Sequence, residues 1–132
     1  MAFTQDFTAA PEHIDELGHV NNAVWVQWIQ EVAVAHWYAR STPEQHAASI
    51  WVVIRHEVDY LRPLKVGETA YARTWVAEPP KGAKFDRLME FTTIEGKTLI
   101  RARTTWAMLD RATGRPMRVP PEVVERFLET SS

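Results

Sequence analysis

An α+β domain is what this sequence predicts: an antiparallel, five-stranded sheet curled around one long central helix, with a short helix near the C-terminal end. Three observations carry that expectation. Residues 22–40 hold a helical pattern that is apolar around most of its circumference, so something must wrap it. Four later segments read as strands, the first two of them alternating with a period of two and the last two joined by a short hairpin link. Proline and glycine separate those segments by short links, which suits antiparallel neighbours better than crossover helices.

The elements follow in order. Residues 3–9 read as a short strand that Pro11 ends. From Asn22 to about Arg40, Trp25, Trp28, Ile29, Val32, Ala33 and Trp37 recur at helical spacing, while Gln27, Gln30 and Glu31 form a narrow polar stripe. Ser41, Thr42 and Pro43 stop that helix. In "SIWVVIRHEVDYLRP", Val52, Ile54, Val58 and Tyr60 alternate with Arg55, Glu57 and Asp59, predicting a long strand with one buried face closed by Pro63 and Gly67. "ETAYARTWVAE" follows, with Tyr71, Arg73 and Trp75 on one side and Ala72 and Val76 on the other. "KFDRLMEFTTIEG" and "KTLIRARTTWAMLD" form a hairpin through Glu95-Gly96-Lys97. If the region from Arg62 to Gly67 is only a turn, these four strands form a meander. Pro121 opens a terminal helix in "PEVVERFLE", where its missing N–H costs nothing.

At 132 residues the chain suits a single domain spanning 1–132. Its net charge of −2, with Lys and Arg spread along the chain, argues against nucleic acid as a partner. The absence of cysteine removes disulfides, thiolate metal sites and cysteine nucleophiles, and fits a cytoplasmic protein. The first 15 residues lack a basic segment followed by an apolar core, so no signal peptide is expected. Gln27, Gln30 and Glu31 interrupt the apolar helix, and no run reaches the roughly 18 residues that a membrane span needs.

Several kinds of chemistry are missing their parts. None of Ser41, Ser49, Ser131 and Ser132 is flanked by the glycines of a G-x-S-x-G elbow, and there is no P-loop or dinucleotide fingerprint. His13, Asp15 and His19 match no standard metal spacing, so no metal is expected. A reaction on this chain would run on a carboxylate and on backbone dipoles.

"D-E-L-G-H-V-N-N-A" before an aromatic-rich helix, "R-H-E-V-D-Y-L-R-P-L-K-V-G-E" and "A-R-T-T-W-A-M-L-D-R-A-T-G-R-P" together resemble the hotdog-fold thioesterases of the 4-hydroxybenzoyl-CoA and acyl-CoA thioesterase family, over roughly residues 3–118. The resemblance implies a hotdog fold, homodimers with active sites at the subunit interface that often pair into tetramers, and hydrolysis of an acyl-CoA without metal or organic cofactor. It also implies that Asp15 is the catalytic carboxylate and that the backbone amide of Asn22 polarises the thioester carbonyl. Two positions depart from the pattern: His13 stands where many relatives carry a first carboxylate, and Trp25 where tyrosine is common.

The residue types suit that chemistry. Thioester hydrolysis needs a carboxylate that attacks the carbonyl carbon or deprotonates a water, and positive potential where the oxyanion forms. Asp15 lies seven residues before Asn22, and Gly18 permits the tight path that folds the loop back. The first amides of a helix lack intrahelical partners, and the macrodipole adds about half a positive charge there. One aimed oxyanion donor is typically worth ~3 kcal/mol in the barrier.

His19 and Asn21 are assigned to substrate contact. His19 could equally orient Asp15 or fill a polar niche, and Asn21 or Asn22 could serve as the helix N-cap. Lys84 and Arg87, with Lys81, are candidates for the CoA phosphates; Arg101 and Arg103 are equal alternatives. Glu31 is read as a structural or interface residue, and Trp25, Trp28 and Trp37 as core or interface. Three other readings stay open: a thioesterase for acyl carrier protein, which shares an H-V-N-N run, a non-catalytic acyl-CoA-binding hotdog, and a hotdog hydratase or dehydratase.

Overall fold

The computed structural model describes residues 2–128. The chain runs β1 (Phe3–Thr8), α1 (Asn22–Arg40), α2 (Pro43–Ala48), β2 (Ser49–Tyr60), β3 (Thr69–Trp75), β4 (Lys84–Thr92), β5 (Thr98–Asp110) and α3 (Pro121–Leu128). Glu129, the last residue of the expected terminal helix, lies outside the described residues. All strands pair antiparallel in one sheet, in the order β1-β3-β4-β5-β2.

That order corrects the meander. Only β3, β4 and β5 are consecutive neighbours, while β2 pairs with β5 at the far edge. Residues 61–68 are a crossover, not a hairpin turn, and their backbone bonds show why. Leu61 and Arg62 donate to the Leu99 carbonyl, Val20 donates to that of Leu64, and Ala9 and Gly67 tie the segment's end to β1. Leu64, 2% exposed, plugs the end of the core. Buried carbonyls and amides need partners, and the segment finds them first on β5, beside β2, and last next to β1, at the opposite edge of the sheet.

The helix forms over the predicted residues. Trp25, Trp28, Ile29, Val32, Ala33 and Trp37 are all buried, and α1 packs on β1 and β3. The inward face of β3 carries Ala70 and Ala72, and such small side chains leave room for indoles. Trp25 and Trp28 meet edge to face at 5.2 Å, and Phe7 stacks on Trp28 at 5.0 Å. Each fully buried large side chain in this cluster contributes roughly 1.5–3 kcal/mol. A second cluster gathers the C-terminal half of the helix: Trp37, Val76, Phe85, Met108, Val123 and Phe127. The sheet leaves one face of α1 open, so Gln27, Gln30, Glu31, Val34 and Tyr38 are exposed. No helix among the described residues is long and apolar enough to cross a membrane.

Two local details differ from the expected pattern. β2 does not bury a continuous face, because a bulge between Val53 and Arg55 leaves Ile54 unpaired and 53% exposed. Pro43 stops α1 and also begins α2. Thr42 Oγ1 accepts from the Gln45 amide at 3.2 Å and Gln45 Oε1 accepts from the Thr42 amide at 2.9 Å. The T-P-E-Q run is thus a capping box with proline at the first helical position.

Candidate active site

The loop before α1 is a miniature hairpin. Ile14 and Val20 form its bridge, the Asp15 amide donates to the His19 carbonyl at 2.9 Å, and the Gly18 amide donates to the Asp15 carbonyl at 3.0 Å. Gly18 has φ of +82°, where a side chain would be strained. Asp15 Oδ1 accepts from the amides of Leu17 at 2.9 Å and His19 at 3.3 Å, while its Oδ2 has no hydrogen-bond partner among the described residues. The carboxylate both holds its own turn and keeps one oxygen available.

The helix start is built just as locally. Asn21 is the N-cap: its Oδ1 accepts from the Ala23 amide at 2.8 Å, and its carbonyl accepts from Val24 and Trp25. The Asn21 amide donates to the His13 carbonyl at 2.9 Å. Among the described residues this leaves the amide of Asn22, of the first four in the helix, without an acceptor. The Tyr60 hydroxyl donates to the Asn22 carbonyl at 3.5 Å.

Asp15, His19, Asn21 and Asn22 all line one cleft of about 400 Å3, walled on the other side by Tyr60 and Arg62. Arg62 Nη1 is held by the Thr98 carbonyl at 2.7 Å. His13 does not line the cleft; its Nδ1 accepts from the Ala10 amide at 2.9 Å and its ring meets the edge of Trp28. At this departure from the resembled pattern the chain has a histidine that pins the loop. Among the described residues no group of three His, Asp or Glu side chains is placed to hold a metal ion.

The two remaining site residues stand elsewhere. Lys84 is exposed at the start of β4 and lines a separate depression with Lys81, Arg55 and Glu78. Arg87, expected to offer an exposed charge to phosphates, is instead buried at 8% exposure. It occupies the inward face of β4 in the series Phe85, Arg87, Met89, Phe91, and that alternation was the sequence signal for its burial. Its Nη1 donates to His36 Nδ1 at 2.8 Å and to Thr74 Oγ1 at 3.0 Å. Burial pulls the Arg87 guanidinium down to about 10, still a cation at neutral pH.

His36, fully buried on α1, was not singled out by sequence. Burial first, then the charges of Arg87 and Arg40, lower it to about 3, so the ring is neutral. Because arginine only donates, Nδ1 is the acceptor and the proton sits on Nε2, which is buried with no partner among the described residues.

Residues 9–127 match the family model of the thioesterase-like superfamily. A chloroplastic acyl-[acyl-carrier-protein] hydrolase from Cuphea viscosissima is 34% identical over 79 residues, 60% of this chain and 19% of that protein. The chain thus spans about a fifth of the length of this curated relative. A Thermus thermophilus thioesterase solved with coenzyme A and zinc is 25% identical, with a TM-score of 0.82 over 96% of this chain and 92% of that one. A Staphylococcus aureus protein solved with CoA has a TM-score of 0.86 at 14% identity, covering 100% of this chain and 87% of its own. The architecture is the hotdog fold that the resemblance implied.

Proposed function

We propose that this chain, which belongs to the thioesterase-like superfamily, hydrolyses an acyl-CoA thioester to a carboxylic acid and CoA. One observation carries the reading: the Asp15 carboxylate, with Oδ2 unengaged among the described residues, and the unpartnered amide of Asn22 line the same cleft. The thioester carbonyl oxygen accepts from the Asn22 amide, and charge developing there is stabilised by the helix terminus. Asp15 Oδ2 then attacks the carbonyl carbon, expelling the thiolate and leaving a mixed anhydride for water to cleave. In the other route it takes a proton from an attacking water and passes it to the departing sulfur. Either way thioester and water become acid and thiol. His19 and Asn21 border the substrate, with Asn21 also capping the helix.

A homodimer completes this reading. β2 is an edge strand of 12 residues with one side unpaired, and Ile54 at 53%, Tyr60 at 44% and Tyr38 at 57% exposure are large apolar groups on β2 and on the open face of α1. Such a long, partly apolar edge invites pairing with a second copy. The phosphates of CoA are then met by basic residues outside the cleft, Lys84 among them.

The likeness to the Cuphea hydrolase favours a second reading, in which the acyl group arrives on acyl carrier protein. Turnover of acyl-CoAs of graded length, of an aromatic acyl-CoA and of acyl carrier protein thioesters, followed by released thiol, separates the two. Asp15→Asn keeps the Oδ1 acceptor and removes the charge, so the rate is expected to fall about 10²–10⁴-fold. Hydrolysis persisting near the parent rate would sink the assignment, and no turnover of any thioester would favour a binding protein.

A further inference from the structure

Beside the C-terminal half of α1 lies a second cavity of about 220 Å3 that shares no lining residue with the Asp15 cleft. Its wall is rich in aromatic side chains, with Trp37, Trp51, Phe85 and Trp106 among the lining residues. Arg87 is part of that wall.

Two residues of this wall keep donors without acceptors. Arg87 Nη1 is engaged by His36 and Thr74, but Nε and Nη2 make no hydrogen bond, and no carboxylate pairs with the guanidinium among the described residues. The indole N–H of Trp106 is buried with no acceptor. Asp86, the acidic residue in the wall, is held by Arg103 at 2.7 Å. Arg111 lines the cavity too, with Nε and Nη2 on the carbonyls of His46 and Ser49. A buried cation without a counter-ion is costly. A core strand position that could hold leucine holds it nonetheless.

What satisfies such a wall is a group that only accepts hydrogen bonds, carries one negative charge and is attached to an apolar body. Arginine's planar fork matches a carboxylate. The volume is below the roughly 300–1,000 Å3 of sites for drug-sized ligands, which limits the body to a ring or a short chain. We propose that this cavity binds the carboxylate of a small apolar acid, with Arg87 pairing with the charge and the tryptophans enclosing the ring or chain. The proposal stands whether or not Asp15 hydrolyses thioesters. The carboxylate has two possible sources: a free acid, or the far end of a dicarboxylic acyl group.

Benzoate and its uncharged counterpart benzyl alcohol are the probes, titrated by calorimetry and tryptophan fluorescence. Benzoate is expected to bind at least about tenfold more tightly than the alcohol, and Arg87→Met to abolish that preference while leaving the alcohol unchanged. Asp15→Asn is expected to bind benzoate like the parent, so a failure of the hydrolysis reading leaves this result standing. Arg87→Lys keeps the charge, removes the planar fork and weakens benzoate alone, which serves if Arg87→Met does not fold. For the source, kcat/KM is compared for a carboxyl-terminated acyl-CoA and its carboxamide analogue. A preference lost in Arg87→Met places the acyl end in the cavity, and benzoate binding without that preference marks a free acid. Benzoate binding no tighter than the alcohol, with no carboxyl preference in turnover, overturns the proposal. So does benzoate affinity unchanged by both substitutions.

Discussion

Replacing Asn22 with proline deletes the backbone N–H from the candidate site, together with an exposed carboxamide. Asn22 is the first residue of α1, the position where proline's fixed φ suits the helix and its missing N–H breaks no intrahelical bond. A proline also constrains the residue before it to extended backbone, and Asn21 already has φ −61° and ψ 141°. The N-cap bond from Asn21 Oδ1 to the Ala23 amide and the Asn22 carbonyl that faces Tyr60 both survive. The melting temperature is therefore expected to hold or rise slightly, by the ~0.4–1 kcal/mol that a compatible proline gains through the unfolded chain.

Activity should behave otherwise. If the Asn22 amide is the oxyanion donor, its loss costs about 10²–10³ in kcat, or ~2.7–4 kcal/mol in the barrier. Asn22→Ala retains the amide and removes the side chain, so it should turn over within a few fold of the parent. The assay is steady-state thiol release beside a thermal melt for each protein. A proline variant that melts like the parent and hydrolyses within about threefold of its rate would refute the role of this amide.

Other outcomes follow from the same geometry. His36 lies in the folded chain well below its ordinary value, at about 3, so between that pH and 6.5 the unfolded chain binds a proton that the folded one does not. Stability is therefore full above pH 6.5 and falls as pH drops through that window, by roughly 1–2 kcal/mol from this group at pH 5. In His36→Gln, urea midpoints at pH 7 and pH 5 should lie closer together than in the parent. An unchanged difference would remove His36 as the cause; His56, also lowered by burial, keeps part of the slope in both proteins. Ile54→Asp, at an exposed bulge on the edge strand, should convert a dimer to monomers in light scattering without loss of fold. A parent that is monomeric, or a variant that stays dimeric, would dismiss β2 as the interface.

Much of this chain was legible because local chemistry decided it. The indole and aliphatic residues of α1 repeat at helical spacing, one of two adjacent asparagines caps the helix, which the structure fixes as Asn21, and Gly18 closes a five-residue turn from its own backbone. Such features depend on neighbours within one turn of chain, so the sequence carries them complete. The α2 capping box was equally local, and the T-P-E-Q signal was present but read only as a stop.

Strand order was not legible. Whether residues 61–68 turn back or cross the sheet depends on partners at Ala9, Val20 and Leu99, distant in sequence, and alternation within a strand does not name its neighbour. Arg87 shows the same limit at one residue. Its charge suggested a surface, and its phase in β4 suggested the interior; only the packing of α1 and α3 over that face, with His36 and Thr74 as partners, decided between them. The sequence alone determined the helix, the tight loop before it that carries Asp15 and the composition of the strands, because those rest on short-range bonds. Tertiary structure decided the strand order and which cation lies inside the protein, because burial is set by whatever long-range packing places above a side chain.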